Sequence, residues 1–166
     1  MTVGLIILNT AIGRVNGMSM LYDRLLLSDN YQTTSVKEYL NNLIEEIVDL
    51  SSGELKLTVK KQIDDVQLDA KILFPLGIII NELLTNILKY AFTGKDSGLI
   101  EVSLKEIEGE ILLIVQDNGI GLPDRFEIDE QKGYGLMLIK MLAKQLGGNF
   151  TIGNHIGTKS TIKFSV

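Results

Sequence analysis

Asp117-Asn118-Gly119-Ile120-Gly121-Leu122-Pro123 is the stretch whose reading decides the fold. The aliphatic run Ile111-Leu112-Leu113-Ile114-Val115 precedes it, with only Gln116 between. A run of that kind bounded by turn residues reads as a buried strand. Asp117 then stands at the end of the strand, at the entrance to a glycine-rich turn. Glycines there permit positive φ and let a backbone approach a flat or anionic ligand closely. A carboxylate beside such a turn can accept a hydrogen bond from an exocyclic amine, as on a purine. Taken alone, the same run also fits an ordinary hairpin turn.

Upstream, Leu99 to Ile107 pairs in pattern with Glu110 to Gln116 as a hairpin around Glu108-Gly109. Before it, Asp69 or Ala70 opens a long helix reaching about Phe92, with Pro75 near its first turns. Glu82, Asn86 and Lys89 are spaced four and three along it, so on a regular helix they share a face. Ile80, Leu83, Leu84, Ile87 and Leu88 form the opposite, apolar stripe, expected against a sheet. A carboxylate, an amide oxygen and a lysine in one row can orient a nucleophile, ligate a hard metal and pair with phosphate. A solvated helix face has the same pattern.

Downstream, Leu122 to Lys132 is a polar, mixed loop. Gly133-Tyr134-Gly135-Leu136 sits where that loop becomes a helix, and backbone amides at a helix start attract anions. The helix runs Gly135 to Leu146 and Gly147-Gly148 closes it. Phe150 to Ile152 and Ser160 to Phe164 form a closing antiparallel pair, with Gly157-Thr158 opening the last strand.

The amino-terminal part is helical. Leu5, Leu8, Ile12, Val15, Ser19, Tyr22 and Leu26 alternate three and four apart, a heptad seam with one polar member. Ala11, Met18, Leu21 and Leu25 widen it to the face a helical bundle needs. Ser28 to Ser35 is polar and turn-like. Val36 to Leu50 is a second helix with Tyr39, Leu40, Leu43, Ile44, Ile47 and Val48 on one side, ended by Ser51-Ser52-Gly53. Leu55, Leu57 and Val59 alternate as a half-buried strand, and a short extended piece follows at Val66 to Leu68. The order gives an α+β fold: a two-layer sandwich of mixed, mostly antiparallel sheet on helices, preceded by amino-terminal helices. Residues 1–50 read as a helical segment and 54–166 as the sandwich domain.

At 166 residues with 45% hydrophobic content, the chain can bury a substantial core. A net charge of −5 argues against broad binding to nucleic acid or an anionic membrane. No cysteine excludes a disulfide framework and suits the cytoplasm. The apolar run Val3 to Leu8 is too short to span a bilayer. A soluble, cytoplasmic chain is expected; upstream sequence could still attach the full protein to a membrane.

Asn81–Phe92, Asp117–Pro123, Gly133–Leu136 and Gly157-Thr158, in that order, resemble the N box and three glycine boxes of the GHKL ATP-binding superfamily. That superfamily includes sensor histidine kinases, type II topoisomerases, heat-shock chaperone ATPases and mismatch-repair ATPases. Residues 135–148, GLMLIKMLAKQLGG, look most like the histidine kinases. Residues 14–25, RVNGMSMLYDRL, are similar to the second dimerisation helix of one histidine-kinase subfamily. There a short loop and a segment like Val36-Lys37-Glu38-Tyr39-Leu40 follow. The resemblance covers the chain from about Ile12 onward.

The resemblance implies a GHKL (Bergerat) sandwich that binds Mg-ATP, and it implies roles by position. Asp117 would accept from the adenine amino group, with Gly119 and Gly121 shaping the turn and Thr158 beside the base. Asn86 would ligate magnesium, Lys89 would approach the phosphates and Tyr90 would lie along the adenine. Leu122 to Lys132 would be the ATP lid, with Gly133, Gly135 and Leu136 at its hinge. Glu82 matches the position that orients water in the superfamily's ATPases; the attacking group in kinases is a histidine, which leaves its catalytic role open.

A kinase of this type phosphorylates a histidine on a first dimerisation helix, which would precede Met1. The single histidine here, His155, sits in the turn before Gly157 and reads as a solvated loop residue. The expectation is therefore the catalytic portion of a two-component sensor histidine kinase. It would transfer the γ-phosphoryl to a histidine supplied elsewhere, dimerise through its amino-terminal helix and serve a response regulator, with no nucleic-acid partner. The alternatives are a nucleotide-binding regulatory module without phosphotransfer and an anti-sigma-factor-type serine kinase.

Overall fold

The computed structural model describes residues 34–51, 55–124, 126 and 134–166, and the heptad seam from Leu5 to Leu26 lies outside them. The expected hairpin is present. β4 (Ser97–Ile107) and β5 (Glu110–Asp117) pair antiparallel, with Val102 opposite Val115 and Ile100 opposite Asp117. β2 (Lys56–Ile63) lies parallel to β4. On the other side β7 (Thr158–Ser165) pairs antiparallel with β5, and β6 (Asn149–Asn154) with β7. The sheet order is β2-β4-β5-β7-β6. The parallel pairing of β2 with β4 is possible because β2 reaches β4 through a long helical crossover.

Side chains alternate across a strand, so one face of this sheet is apolar and inward. On β5 the buried members are Ile111, Leu113, Val115 and then Asp117. The carboxylate thus occupies the next inward position of the core-facing series. The outer members Leu112 and Ile114 are half-buried, so the aliphatic run is fully buried on one face only.

The inner face is covered by α1 (Val36–Ser51), α2 (Ala70–Asn86) and α3 (Tyr134–Gln145). Asp69 caps α2 by accepting from the Lys71 N–H at 2.7 Å. By length and composition the helical stretch Ala70–Ala91 is apolar enough to cross a bilayer. Its Leu73, Leu76, Ile79, Ile80 and Leu84 are instead buried within the fold, as in the core helix of a two-layer sandwich.

α1 contributes Tyr39, Leu40, Leu43, Ile44 and Ile47 to that same core. The face expected for a helix of the amino-terminal segment is therefore buried against α2 and the sheet side. Its start also differs from the turn expected for Ser28 to Ser35. β1 (Thr34–Ser35) pairs antiparallel with β3 (Gln67–Leu68). The cause is local: Ser35 Oγ donates to Asp65 Oδ1 at 2.7 Å and accepts from the Glu38 N–H at 3.2 Å, while the Val36 N–H donates to Val66 C=O. One residue caps α1 and ties it to the strand following β2.

A feature the sequence pattern does not announce is a π-helical turn, Ile87–Ala91, that continues α2. Such a widened turn often marks a functional site. It shifts Lys89 off the regular helical row begun by Glu82 and Asn86, and Lys89 and Tyr90 are exposed.

Candidate functional site

Asp117 is 2% exposed. Its Oδ1 accepts from the Gly119 N–H at 2.7 Å and from the Thr158 N–H at 3.3 Å. Its Oδ2 is buried with no hydrogen-bond partner. An unpaired buried acceptor costs about 1–3 kcal/mol, and more for a charged group. Native proteins tolerate such an atom where a ligand or other donor completes it. The chemistry it asks for is a donor without negative charge, such as an exocyclic amine.

The turn around this carboxylate leaves no room for side chains. A Cβ on Gly157 would come within 2.5 Å of the Gly119 nitrogen and would overlap Asp117 Oδ1. A Cβ on Gly119 would strike the Ala91 backbone oxygen and methyl group. The Ile120 N–H donates to that same Ala91 C=O at 2.8 Å, so the glycine turn is fastened to the end of the π turn. Gly121 has φ +76, a left-handed conformation that only glycine adopts readily.

Two residues that the sequence reading passed over hold the turn from outside. Asn154, at the end of β6, accepts from the Leu122 N–H at 2.6 Å and donates to the Leu122 C=O at 3.0 Å. Asn118 accepts from the Leu99 N–H through Oδ1 at 2.8 Å, and its C=O accepts from Lys95 Nζ at 2.8 Å. Asparagine in a turn is so common that neither position stands out in the sequence.

The expected residues divide into two groups. Asp117, Gly119, Gly121 and Thr158 come together in one turn and its neighbouring hairpin. Thr158 joins through its backbone N–H. Glu82, Asn86, Lys89 and Tyr90 belong to the helix whose last turn is bonded to that glycine turn, through the Ala91 C=O and the Ile120 N–H. Glu82 is 1% exposed, so it belongs to no solvated face, and Asn86 is half-buried as the last residue of α2. Tyr90 is 65% exposed. Gly135, buried, and Leu136, half-buried, lie in the first turn of α3, which packs on α2. Gly133 and residues 125 and 127–132 of the expected lid lie outside the described residues. His155 is exposed, with Nδ1 3.2 Å from Gln116 Nε2.

Among the described residues there is no group of three or more His, Cys, Asp or Glu placed to hold a metal. On the helix Asn86 carries an amide oxygen and is half-buried. A lone amide oxygen is no protein cage; a hard cation held there would take most of its oxygen ligands from elsewhere.

Comparison with known proteins gives a consistent picture. Residues 74–166 match the family described as histidine kinase-, DNA gyrase B-, and HSP90-like ATPase. Residues 4–51 match a second family, described as histidine kinase. Blue-light-activated histidine kinase 2 of Erythrobacter litoralis is 25% identical over 145 residues, 84% of this chain and 41% of that protein. Sensor histidine kinase PdtaS of Mycobacterium tuberculosis is 23% identical over 133 residues, 80% of this chain and 26% of that protein. The chain thus spans less than half the length of these relatives. The histidine kinase domain of the Erythrobacter litoralis EL346 blue-light activated histidine kinase has the same fold. Its TM-score is 0.83 at 22% identity, covering 94% of this chain and 74% of that one.

Proposed function

Because the chain belongs to the histidine kinase-, DNA gyrase B-, and HSP90-like ATPase family, we propose that it binds Mg-ATP and donates the γ-phosphoryl group to a histidine outside this sequence. In that reading residues 54–166 are the catalytic unit, and residues 1–50 are part of a dimerisation and phosphotransfer region. The division is one of role, since α1 shares the core of the sandwich.

The observation that carries the reading is the buried, unpartnered Asp117 Oδ2. Adenine offers the donor that atom lacks: its amino group carries two hydrogens and no charge. Guanine presents a carbonyl oxygen at the corresponding ring position and would meet the carboxylate acceptor to acceptor. Gly119 and Gly157 let the backbone pack directly against Asp117 Oδ1, which holds the carboxylate in place.

Asn86 would hold magnesium through its amide oxygen, and bound magnesium would offset charge on the phosphate oxygens. Lys89, exposed beyond α2, would approach the phosphates, and Tyr90 would lie along the base. Gly133, Gly135 and Leu136 would border the phosphates at the start of α3. Glu82, one turn before Asn86, would face the incoming imidazole and orient it. Transfer itself forms a bond from an imidazole nitrogen to the γ-phosphorus and breaks the bond from that phosphorus to the β,γ-bridging oxygen. ADP leaves, and the imidazole gives up a proton. Catalysis in such a site is mainly positioning and charge neutralisation. A response regulator would then take the phosphoryl group.

The test supplies what this sequence lacks. The chain is mixed with a dimerisation helix pair bearing an acceptor histidine and with ATP labelled at the γ-phosphate. The expected product is an acid-labile, alkali-stable phosphohistidine. ATP binding without transfer would leave only a nucleotide-binding module. Label on a serine would point to a serine kinase of the same superfamily.

A further inference from the structure

We infer that Asn154 is a positioning residue for the adenine-binding turn, acting through the backbone of Leu122. The inference rests on the reading of Asp117 as the adenine acceptor and adds a residue to it from another element.

Asn154 lies 32 residues beyond Leu122 in sequence, at the tip of the β6–β7 hairpin. Its side chain makes both hydrogen bonds a β-partner would make: Oδ1 accepts from the Leu122 N–H at 2.6 Å, and Nδ2 donates to the Leu122 C=O at 3.0 Å. The turn from Asp117 to Leu122 is thereby held at three places. Its beginning is held by Asp117 Oδ1 on the Gly119 and Thr158 amides, its middle by Ile120 on Ala91, and its end by Asn154. Two of these three ties run to the same hairpin, at Asn154 and Thr158. The orientation of Asp117 Oδ2 thus depends on the hairpin as well as on β5.

Gly121 records the closeness of this packing. A Cβ built there would lie 2.7 Å from Asn154 Oδ1. The amide and the glycine are fitted to each other, so substituting either disturbs the same clamp. Without the clamp, the end of the turn becomes free in the unliganded protein, and the ligand must order it on binding. Such ordering lowers affinity without removing a contact to the ligand.

Equilibrium binding of ADP and of adenosine, both without magnesium, tests this alongside thermal unfolding of the unliganded chain. Omitting metal and, for adenosine, phosphate confines the readout to the base-facing turn. Two exposed hydrogen bonds near the low end of their usual strength predict that Asn154→Ala weakens both ligands about fivefold. The unfolding midpoint should move by only about two degrees, and binding is read well below it. Asn154→Asp keeps the acceptor for the Leu122 N–H and should recover part of the loss. Gly121→Ala and the Gly121→Ala/Asn154→Ala pair should bind equally, since the first change already breaks the clamp.

Unchanged adenosine affinity in Asn154→Ala, with the parent chain binding normally, would overturn the proposal and leave the ATP reading intact. Additive losses in the Gly121 and Asn154 pair would also overturn it. A parent chain that binds neither ligand would overturn the ATP reading, and this inference with it.

Discussion

Asp117 and Thr158, 41 residues apart in sequence, are joined by a single hydrogen bond from the Thr158 N–H to Asp117 Oδ1 at 3.3 Å. That bond leaves Oδ2 as the carboxylate's unsatisfied atom. One oxygen fixes the side chain to its own protein; in the proposed reading the other is the atom that meets the base. On that reading a structural and a binding role are separated within one residue.

Gly157 and Gly119 should tolerate no side chain. Alanine at either position places a methyl group against Asp117, the Gly119 amide or the Ala91 carbonyl. Overpacking of this kind costs about 1–3 kcal/mol. Both variants should lose nucleotide binding along with that stability. Gly109→Ala is the control: φ there is +80, but nothing lies within 4 Å of the added Cβ. It should cost about 1–2 kcal/mol from its left-handed backbone and leave binding intact. Thermal unfolding with nucleotide titration checks all three, and normal binding by Gly157→Ala would contradict the geometry.

Asn86→Ala should remove the magnesium dependence of ATP binding. The parent chain is expected to bind ATP more tightly with magnesium than with a chelator, and the variant equally in both. Calorimetry in the two buffers gives the comparison. A variant that keeps the parent's dependence would take the metal away from Asn86.

Leu40→Ala should destabilise the whole sandwich. Leu40 is fully buried in the core shared by α1, α2 and the sheet, and such truncations cost about 2–5 kcal/mol. A single cooperative unfolding transition shifted down by many degrees is expected. Unfolding unchanged by the substitution would mean that α1 is not part of this core in solution.

Much of this architecture is legible in the chain. The aliphatic run Ile111 to Val115 marks β5 as a buried strand, although Leu112 and Ile114 are as apolar as their neighbours and so do not tell which face is inward. Asp117 departs from apolar character at the next inward position after Val115. Such a local conflict between pattern and residue type is where functional sites are found. The amphipathic face of Val36 to Leu50 is also readable, because helical periodicity depends only on nearby residues. Its docking surface is not, since an apolar stripe does not name its partner. The π turn at Ile87–Ala91 leaves no mark in residue type. It moves Lys89 away from the row that regular helical spacing implies. Asn154 escapes for a further reason. Its role is set by which hairpin tip reaches Leu122, and that depends on the order of strands in the sheet. The fastening of Ile120 to the Ala91 carbonyl is a backbone contact between distant segments, invisible to side-chain reasoning.

The most direct test of the central claim is the adenine-nucleotide affinity of Asp117→Asn measured beside its unfolding midpoint. The amide oxygen of Asn can keep the bonds from Gly119 and Thr158, which places the NH2 group where Oδ2 now stands. An acceptor facing the purine amine becomes a donor. The account predicts a midpoint within a few degrees of the parent and an ATP affinity reduced about 10- to 100-fold, the effect of unpairing a hydrogen bond to a charged group. Affinity within about twofold of the parent, or a loss of binding that merely follows a loss of folding, would contradict it.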